Sequence, residues 1–520
     1  MSAVQSIDPP APSEPLPSGS QGLDEWFRPE WETRAVATAL GLFVVLWTAF
    51  QIISYQSVDL RDDLTEVFAW SRHPSASYYK HPPLAALIAA GWFKVFPISD
   101  WSFHLLAMVN AAIGLYFVDR IARRHLEPEK RLVVFALLLL TPFYQFHGQR
   151  FASNQVLLST WPVATYCFLG AFETRRLSWS IAAGAAAALA MLGKYFSIYL
   201  VLAFVAAALS HPARWTYLRS PSPYISVLVG LALLAPHLLW LAENGPQTFA
   251  YAYEAHGSTS AWTLFSKTAL YVGGGIAFVA LMMLVYVVAV RPDGQTIRSA
   301  FWPDCPDRRM LVVLLALPLV LPIVTAPFLG ILLSSIWTMP AWSLLPIVLL
   351  MPREAKVTRP VAARLAAGVL ACAIIAVIAA PAVAIARFVE EADNQTARAS
   401  YRDMSMELTN AWHQVAQRPL GIVMGNLILV LPVTFYSSDH PDSVPNFLRK
   451  SAPWVSDDRL EKEGWVGVCF KRYERCMAAA EELVDDAPNV VRMSYMAQKS
   501  WLGVEAPPVE IVFFLVPPRR

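Results

Sequence analysis

The sequence predicts a polytopic α-helical membrane protein that ends in a small α/β domain outside the membrane. Its composition is the first reason, since 56% of its 520 residues are hydrophobic and only 15% are charged. A soluble domain does not need so much apolar surface. The second reason is a series of apolar runs close to the roughly 20 residues that a membrane-spanning helix requires. The net charge of +2 comes without a basic run, which excludes nucleic acid as a partner.

Residues 1–34 precede the first apolar run and are rich in Pro, Ser and acidic residues. A secretory signal would begin with a basic region followed by an apolar core, and this segment has neither. Its composition offers too little apolar surface for a packed core. We predict a disordered cytoplasmic tail.

Residues 35–387 form the predicted membrane domain. Its apolar runs begin near residues 35, 102, 132, 155, 178, 196, 222, 268, 311, 330 and 362. Alternate connections are basic: Arg120, Arg123, Arg124, Lys130 and Arg131; Arg175 and Arg176; Arg214 and Arg219; Arg291, Arg298, Arg308 and Arg309; Arg353, Lys356, Arg359 and Arg364. The positive-inside rule places these connections in the cytoplasm, which gives about eleven spans.

The stretch SYYKHPPL, residues 77–84, opens an apolar segment that stops at Pro97. That segment is shorter than the roughly 20 residues that a crossing requires. If it crossed the membrane, the loop before it and the Arg120 connection would lie on the same side, against the charge rule. We therefore predict a juxtamembrane or re-entrant helix on the outer face, after a first periplasmic loop at residues 58–83.

Residues 388–520 change in composition and are predicted to form a periplasmic α/β domain. The strand-like runs are LGIVMG, LPVTFYSS, GWVGVCF and VEIVFFLV, and the helical runs are MSMELTNAWHQVA and RCMAAAEELVDD. An oxidising compartment permits a disulfide between Cys469 and Cys476. Two unpaired thiols are the alternative, and the sequence leaves this choice open.

The predicted topology collects many polar residues at the outer face. They are Asp59, Asp62, Asp63, Glu66, Arg72, Lys80, His81, Arg150, Asn154, Lys194, Glu243, Glu254 and His256. Carboxylates in this position suit a general base or a metal site, although contact with water and lipid headgroups also explains a polar loop. Lys194 is the most informative cation, because it interrupts an apolar stretch where an ammonium group is usually functional. Snorkelling to the interface is the alternative for this lysine.

Four segments, within residues 35–290, resemble the GT-C glycosyltransferases in order. The closest likeness is to the bacterial protein O-mannosyltransferase-like branch, which includes the lipid A aminoarabinose transferases. Asp63 and the YYKHPP element around His81 are similar to the first-loop signature of that family. The segment TPFYQFHGQRFASN resembles a family span that ends in Thr-Pro, and places Asn154 where the family has Asp. GKYF, with Lys194 and Tyr195, and the AHG at His256 resemble two further family segments.

The resemblance implies an inverting glycosyltransferase that uses a polyprenyl-phosphate-sugar donor at the periplasmic face. Its implied acceptor is lipid A, core oligosaccharide or another envelope glycan. Asp63 matches the catalytic Asp and is the candidate general base, with Asp62 and Glu66 as alternatives because the register is not fixed. The candidates for binding the donor phosphate or sugar are Lys80, His81, Arg150, Asn154, Lys194, Tyr195 and His256, with His147 as a further hydrogen-bonding candidate. An apolar groove is expected to hold the isoprenoid chain among the membrane lipids.

Two positions depart from the family pattern. Many relatives have an acid where this chain has Lys80, and in some of them that acid is tied to a divalent cation. A bound metal is therefore in doubt, and we assign no metal ligand. Asn154 replaces an Asp, and an amide cannot act as a base, which strengthens the case for Asp63.

Two other functions fit parts of the sequence. Protein O-mannosylation is the alternative among enzymes, although the additional luminal repeats usual in those enzymes are absent from the sequence. A transporter or flippase of a lipid-linked saccharide would place charges near mid-membrane and often show paired halves, whereas these charges gather at one face. The choice among mannose, aminoarabinose, galacturonic acid and arabinose donors depends on pocket shape and stays open, as does the oligomeric state.

Overall fold

The computed structural model describes residues 32–518, apart from 486 and 488. The predicted N-terminal tail lies outside the described residues except for its last three positions. The described chain consists of a helical part and a C-terminal part that contains a mixed β-sheet. Both parts contribute to the region in which the candidate site lies.

Helices or helical turns form at all eleven predicted apolar runs. The helices are α1 (Glu32–Ser54), α2 (Asp62–Ser71), α3 (Leu84–Trp92), α4 (Asp100–Ala122), α5 (Pro128–Leu138), α6 (Leu157–Thr174), α7 (Leu177–Gly193), α8 (Ile198–Ser210), α9 (Arg214–Leu218), α10 (Ser222–Asn244), α11 (Gln247–His256), α12 (Ala261–Val290), α13 (Gly294–Phe301), α14 (Pro306–Leu329), α15 (Leu345–Leu350) and α16 (Arg359–Asp393). A π-helical turn covers Phe143–His147, and 3₁₀ turns cover Tyr195–Ser197, Ser335–Thr338 and Ala341–Leu344.

Six helices in the described part of the chain are long and apolar enough to cross a membrane. They are α1, α4, α10, α12, α14 and α16. The other five predicted spans form shorter or broken helices. Proline explains one of these breaks: α5 ends at Leu138, and Pro142 follows before the π turn. The residue before a proline is disfavoured in the helical region, so a helix tends to stop there.

The short helix predicted after SYYKHPPL is confirmed as α3. Its 9 residues extend about 14 Å at 1.5 Å per residue, less than half of a hydrocarbon core of about 30 Å. The indole Nε1 of Trp92 donates a hydrogen bond to Ser102 Oγ at 2.9 Å. Helix α3 therefore folds back on the first turn of α4 and does not cross on its own.

Helix α4 separates two chemically different ends of the molecule. Its 23 residues extend about 34 Å. Near the last turn of α4, Arg124 Nη1 donates a hydrogen bond to Glu173 at 3.0 Å. The basic connections gather at this end of the molecule, where Lys130 Nζ also donates to Pro352 O at 2.9 Å. We call this the basic end. The first residue of α4 lies at the opposite end, which holds residues 58–83 and the C-terminal domain, and which we call the site end.

The C-terminal domain is α/β, as predicted. Its helices are α17 (Tyr401–Ala416), α18 (Leu427–Tyr436), α19 (Asp457–Glu463) and α20 (Glu474–Val484), and its strands are β1 (Ile422–Gly425), β2 (Asp442–Pro445), β3 (Trp465–Phe470), β4 (Val491–Ala497), β5 (Ser500–Trp501), β6 (Val504–Glu505) and β7 (Val509–Val516). A 3₁₀ turn covers Arg449–Ser451. The larger sheet has the order β2-β1-β3-β7-β4. Strand β1 is parallel to β2 and β3, whereas β7 is antiparallel to β3 and β4.

Three features of this domain differ from the sequence prediction or resolve it. The run LPVTFYSS was predicted as a strand, and this was wrong, because most of it lies in α18. The side chain of Asn426 caps that helix by accepting from Ile428 N at 3.0 Å. The residues from Leu429 to Phe435 are all buried, so no apolar periodicity distinguishes helix from strand.

The last long helix, α16, continues to Asp393, past the boundary predicted at residue 388. Cys469 and Cys476 are joined in a disulfide.

The C-terminal domain packs directly on the segment that contains α2. The ring of Phe435 lies edge-on to Phe68, with centroids 5.0 Å apart. The backbone N–H of Leu60 donates to the Tyr436 hydroxyl at 2.8 Å, and the carboxylate of Asp59 accepts from Tyr401 N at 2.7 Å. The first loop and the last domain therefore share buried contacts.

Candidate functional site

Lys194 stands where α7 ends, in an extended backbone conformation between two apolar helices. Its ammonium group donates a hydrogen bond to the side-chain oxygen of Asn154. The same group lies 4.7 Å from the ring centroid of Trp337, a distance typical of a cation–π contact. Within residues 32–518 as described, no carboxylate lies within ion-pair distance of Lys194. The positive charge is therefore held in place by an amide and a ring, and it remains available to an anionic ligand.

Asp63 lies in the first turn of α2 together with Asp62, and acidic residues are stabilised at this end of a helix. Its side chain reaches water, yet the protein atoms around it partly desolvate the carboxylate. This desolvation raises the pKa of Asp63 above its usual value, and the charge of Asp62 adds to the effect, while Arg150, Arg61 and Lys80 oppose it. A carboxylate with a raised pKa is a stronger base. Asp63 is also close enough to Lys194 to act on it electrostatically.

Glu66 follows Asp63 by three residues and so lies on the same side of α2. Its carboxylate is 2.6 Å from the ammonium of Lys80. Burial raises the pKa of Glu66, whereas the charge of Lys80 acts in the opposite direction. Lys80 also lies 5.6 Å from the ring centroid of Tyr251. Because Glu66 balances its charge, Lys80 is less available to a phosphate than Lys194.

His81 and His256 approach Lys194 from two different segments. Burial, together with the positive charges of Lys194 and Lys80, lowers the pKa of His81 to about 3. Burial and the charge of Lys194 also lower the pKa of His256, whose ring is edge-on to Trp337 with centroids 5.2 Å apart. Both imidazoles are therefore neutral near pH 7. They can hydrogen-bond a ligand, but they do not add positive charge.

Arg150 follows the π turn at the site end. Its Nε is buried and has no hydrogen-bond partner in the part of the chain that the structure describes. The guanidinium is close enough to act electrostatically on Asp63 and on His147. A guanidinium with unused donors suits a bidentate contact with phosphate or carboxylate.

Tyr195 is the last of the predicted site residues. Its hydroxyl lies 2.9 Å from Nε2 of His237, and its ring stacks on Phe249 with centroids 4.7 Å apart. The structure thus brings all eight predicted residues to the site end: Asp63, Lys80, His81, Arg150, Asn154, Lys194, Tyr195 and His256.

A divalent cation does not fit this arrangement well. The described residues contain no group of three His, Cys, Asp or Glu side chains arranged to hold a metal ion. Glu66 is one of the acids nearest to Asp63, and its charge is already balanced by Lys80 at 2.6 Å. The positive charge beside the Glu66 carboxylate is therefore that of a lysine.

Sequence reasoning missed several residues of the site. Trp337 and Tyr251 are aromatic neighbours of the two lysines, and nothing in their local sequence distinguishes them from other aromatics at helix ends. His237 is a polar residue in the apolar run of α10, and that pattern is a usable signal. The C-terminal domain also contributes: Lys450 Nζ lies 4.8 Å from the Tyr79 ring, and Trp454 stacks on His73 with centroids 4.7 Å apart.

An apolar cavity of about 1010 Å³ opens between α1, α5, α12 and α16. Its lining includes Leu42, Trp47 and Leu281. Towards the site end the lining becomes polar at Thr141 and Gln145. Phe278, also in the lining, contacts the His147 ring with centroids 5.2 Å apart. The cavity therefore leads to the neighbourhood of Arg150.

Comparisons with known proteins agree with the fold. Residues 80–240 match the family described as dolichyl-phosphate-mannose-protein mannosyltransferase. The crystal structure of ArnT from Cupriavidus metallidurans bound to undecaprenyl phosphate superposes with a TM-score of 0.57, covering 93% of this chain and 98% of that one at 14% identity. The chain therefore has the GT-C fold. The sequence motifs predicted this fold.

Two curated relatives from Rhizobium johnstonii are similar over more than half of the chain. The lipid A galacturonosyltransferase RgtD is 24% identical over 293 residues, which is 54% of this chain and 59% of that protein. The lipopolysaccharide core galacturonosyltransferase RgtB is 26% identical over 330 residues, which is 61% of this chain and 64% of that protein. The aligned part of the chain thus spans about three fifths of the length of these relatives.

Proposed function

We propose that this protein is an inverting glycosyltransferase that moves a sugar from a polyprenyl-phosphate donor to a glycan of the bacterial cell envelope. One observation carries the proposal. Lys194 and Arg150, two cations that form no carboxylate ion pair within the described residues, lie around Asp63 near an apolar cavity. Cations, a base and an apolar groove are the three parts that this reaction requires.

The reaction is a single displacement at the anomeric carbon of the sugar. An oxygen of the acceptor hydroxyl forms a bond to that carbon, while the bond from the carbon to the phosphate oxygen breaks. The electron pair leaves with the lipid phosphate, and the acceptor proton moves to the carboxylate of Asp63. A positioned base of this kind accelerates proton transfer by about 10²–10⁴-fold.

Lys194 acts on the leaving group, and Arg150 is the second cation, placed to bind the sugar carboxylate. Negative charge grows on the phosphate as its bond to the sugar breaks, and fixed cations stabilise that charge without reorganising. Asn154 holds the Lys194 ammonium in place through its side-chain oxygen. Asn154 therefore positions the lysine and does not compete with Asp63 for the proton.

The isoprenoid chain of the donor occupies the apolar cavity. The cavity is lined by side chains such as Leu42, Trp47 and Leu281, and its polar edge lies at Thr141 and Gln145. A lipid that lies along this groove would present its phosphate at the site end. ArnT from Cupriavidus metallidurans, which has the same fold, was crystallised bound to undecaprenyl phosphate, and this supports a lipid of the same class here.

Galacturonic acid is the sugar that we propose, with lipid A or the lipopolysaccharide core as the acceptor. Both curated relatives are named as galacturonosyltransferases of these acceptors. The site adds a physical reason, because it has two cations without carboxylate partners in the described chain. A uronic acid donor carries two anionic groups, a phosphate and a carboxylate, and a neutral sugar donor carries one.

We further propose that the site end faces the periplasm. The positive-inside rule assigns the basic end, with Arg124 and Lys130, to the cytoplasm. A disulfide between Cys469 and Cys476 in the C-terminal domain suits an oxidising compartment. We also propose that turnover needs no divalent cation, since Lys80 already supplies positive charge beside Glu66.

The test is a transfer assay with the purified protein in detergent. The probes are polyprenyl-phosphate-galacturonic acid and lipid A, and the product is detected by mass spectrometry as the acceptor plus one uronic acid residue. We expect transfer without a sealed membrane and no loss of rate with a chelator. A flippase would leave both compounds unchanged in detergent, and that result would overturn the proposal. A protein O-mannosyltransferase would instead modify a peptide with mannose from a polyprenyl-phosphate-mannose donor.

A further inference from the structure

A buried histidine connects two separate segments of the site. His237 lies in the second half of α10 and is only 3% exposed. Its Nδ1 is 2.9 Å from the carbonyl oxygen of Ala76, and its Nε2 is 2.9 Å from the hydroxyl of Tyr195. Both ring nitrogens are therefore used, each by a different part of the chain.

The two partners fix the proton on the ring. A backbone carbonyl oxygen only accepts hydrogen bonds, so Nδ1 carries the proton and donates it to Ala76. In the neutral imidazole Nε2 is then an acceptor, and the hydroxyl of Tyr195 donates to it. This arrangement sets the direction of the Tyr195 hydroxyl as well as the position of the loop.

The segments that His237 joins are the ones that carry the lysines. Ala76 precedes Lys80 by four residues, and Tyr195 directly follows Lys194. The hydroxyl groups of Ser77 and Thr248 also approach the Tyr195 phenol oxygen. Three chain segments thus meet at one tyrosine hydroxyl, whose direction His237 determines.

We infer that His237 is a positioning residue, which holds the loop of Lys80 and His81 in register with Lys194. This inference rests on the proposed function, because it assigns His237 a role in sugar transfer. His237 acts through Tyr195 and Ala76 and does not itself touch the donor. A change of about 1 Å in the relative position of reacting groups can cost about 10²-fold in rate.

His104 provides a matched control for this inference. It is also a buried histidine of a long helix, 2% exposed, and neither of its ring nitrogens has a hydrogen-bond partner in the described part of the chain. Replacing either histidine by phenylalanine keeps a ring of similar size. The two substitutions therefore differ mainly in the hydrogen bonds that they remove.

The first experiment compares kcat and KM of His237→Phe and His104→Phe in the transfer assay. For His237→Phe we expect kcat to fall by about 10²-fold, with a much smaller change in KM for a donor held mainly by its lipid chain. For His104→Phe we expect both constants to stay within about two-fold of wild type. Equal effects of the two substitutions would show a general packing role and would overturn the inference.

A second experiment tests whether His237 acts through Tyr195. If they form one unit, the double variant Tyr195→Phe with His237→Phe should lose no more activity than the more affected single variant. Multiplied losses would mean that the two residues act independently, and would contradict the inference.

A third measurement does not depend on activity. Hydrogen exchange of the backbone at residues 72–81 should become faster in His237→Phe and remain unchanged in His104→Phe. Unchanged exchange in both variants, or wild-type kinetics of His237→Phe, would overturn the positioning role while leaving the proposed function intact. Absence of transfer by the wild-type protein would instead reject the proposed function, and faster exchange would still show that His237 holds the loop.

Discussion

Two lysines of the candidate site carry the same charge but have different partners. Lys80 forms an ion pair with Glu66 at 2.6 Å, whereas Lys194 is held by the amide oxygen of Asn154 and the ring of Trp337. An ammonium without a carboxylate partner gains more from an approaching phosphate, because no existing ion pair competes with it. The sequence ranked Lys194 first for its isolation in an apolar stretch, and its surroundings give a second reason.

We expect Lys194→Met to lower kcat strongly while leaving the protein folded. The substitution keeps most of the side-chain stem and removes the charge that we propose stabilises the leaving phosphate. Loss of one fixed electrostatic contact of this kind costs about 10²–10³-fold in kcat. Turnover measured at saturating donor checks the rate, and thermal unfolding in detergent checks the fold. A folded Lys194→Met protein with wild-type turnover would remove this lysine from the site.

Asp63→Asn is expected to lower turnover by about 10²–10⁴-fold, because an amide cannot accept the acceptor proton. Donor affinity should change little, since the side-chain volume is nearly the same. Asp62→Asn is the matched control, because adjacent residues of a helix point in different directions. Steady-state kinetics and donor binding of both variants test this prediction. Full activity of Asp63→Asn with a loss in Asp62→Asn would assign the role to the neighbouring residue.

The pH dependence of turnover should identify the same carboxylate. Desolvation raises the pKa of Asp63, and only the ionised form can accept a proton. Activity should therefore fall as the pH decreases through this raised pKa, at a value above the usual pKa of about 4 for Asp. Asp63→Asn should lose this acidic limb. An acceptor phosphate that is already ionised needs no base, so the limb should be weaker for a phosphate acceptor than for a hydroxyl acceptor.

At the scale of helices and strands, the sequence predicted the elements whose apolar pattern is unambiguous. Helix α3 was recognised from the short length of its apolar segment and from the charges of the connections on either side. Strands β1, β3 and β7 were recognised from continuous apolar runs. Helix α18 was mistaken for a strand because it is buried on all sides. Strand β4 was missed since most of its side chains are exposed or half-buried, so an apolar run does not mark it.

In the candidate site too, residues within recognisable local motifs could be predicted, and residues that arrive from distant segments could not. Asp63, Lys80 and Lys194 could be predicted, because short motifs around them resemble known segments. Trp337 and Lys450 could not, since each reaches the site from a segment far away in the sequence. Only the packing of α12–α16 and of the C-terminal domain brings these residues to the first loop.

The role of the apolar cavity can be tested by filling it. Ala376 lines the cavity on α16, so Ala376→Phe should obstruct the donor chain and raise KM for a long polyprenyl donor. Ala371 lies on the same helix, is exposed and does not line the cavity, and Ala371→Phe is the matched control. We expect KM for Ala376→Phe to rise roughly 10-fold or more. A 10-fold rise corresponds to a loss of about 1.4 kcal/mol in the free energy of donor binding. Equal KM values for both variants would place the lipid elsewhere.

Asp442 joins the C-terminal domain to the first loop. Its carboxylate is 2.6 Å from His73 Nε2 and 2.9 Å from Arg459. We expect Asp442→Asn to destabilise the protein by about 1–3 kcal/mol, towards the lower end because the partners are partly exposed. Thermal unfolding in detergent measures this loss. Asp458→Asn is the control, because that residue pairs only at the exposed surface, with Lys462, and it should change stability little.

Acid should have the same effect as Asp442→Asn. Burial alone would raise the pKa of Asp442, but hydrogen bonds from His73 and Arg459 hold it below its ordinary value. The stabilisation is therefore complete above the unfolded-state pKa of about 3.9, and is lost as the pH falls through the lower folded-state pKa. The Asp442→Asn protein should not show this part of the acid sensitivity.

At the scale of the whole molecule, the opposite chemistry of the two ends predicts the orientation. Single cysteines at positions 62 and 123, in a background without the native free cysteines, should react differently with a membrane-impermeant maleimide in intact spheroplasts. Position 62 at the site end should react, and position 123 at the basic end should react only after the membrane is opened. Labelling of position 123 from outside would reverse the proposed orientation.

The contact between Leu60 and Tyr436, which are 376 positions apart, has a consequence for the order of events during biosynthesis. The first loop leaves the ribosome early, whereas the domain that covers it is translated last, after all the long helices. Domains tend to fold in the order in which they emerge, so the loop with Asp63 must remain incomplete until the end of translation. A chain that stopped before residue 400 would present carboxylates and lysines at the membrane surface without Tyr401 and Asp442, which are the partners of Asp59 and His73. Only a polypeptide translated to its last domain has a finished site.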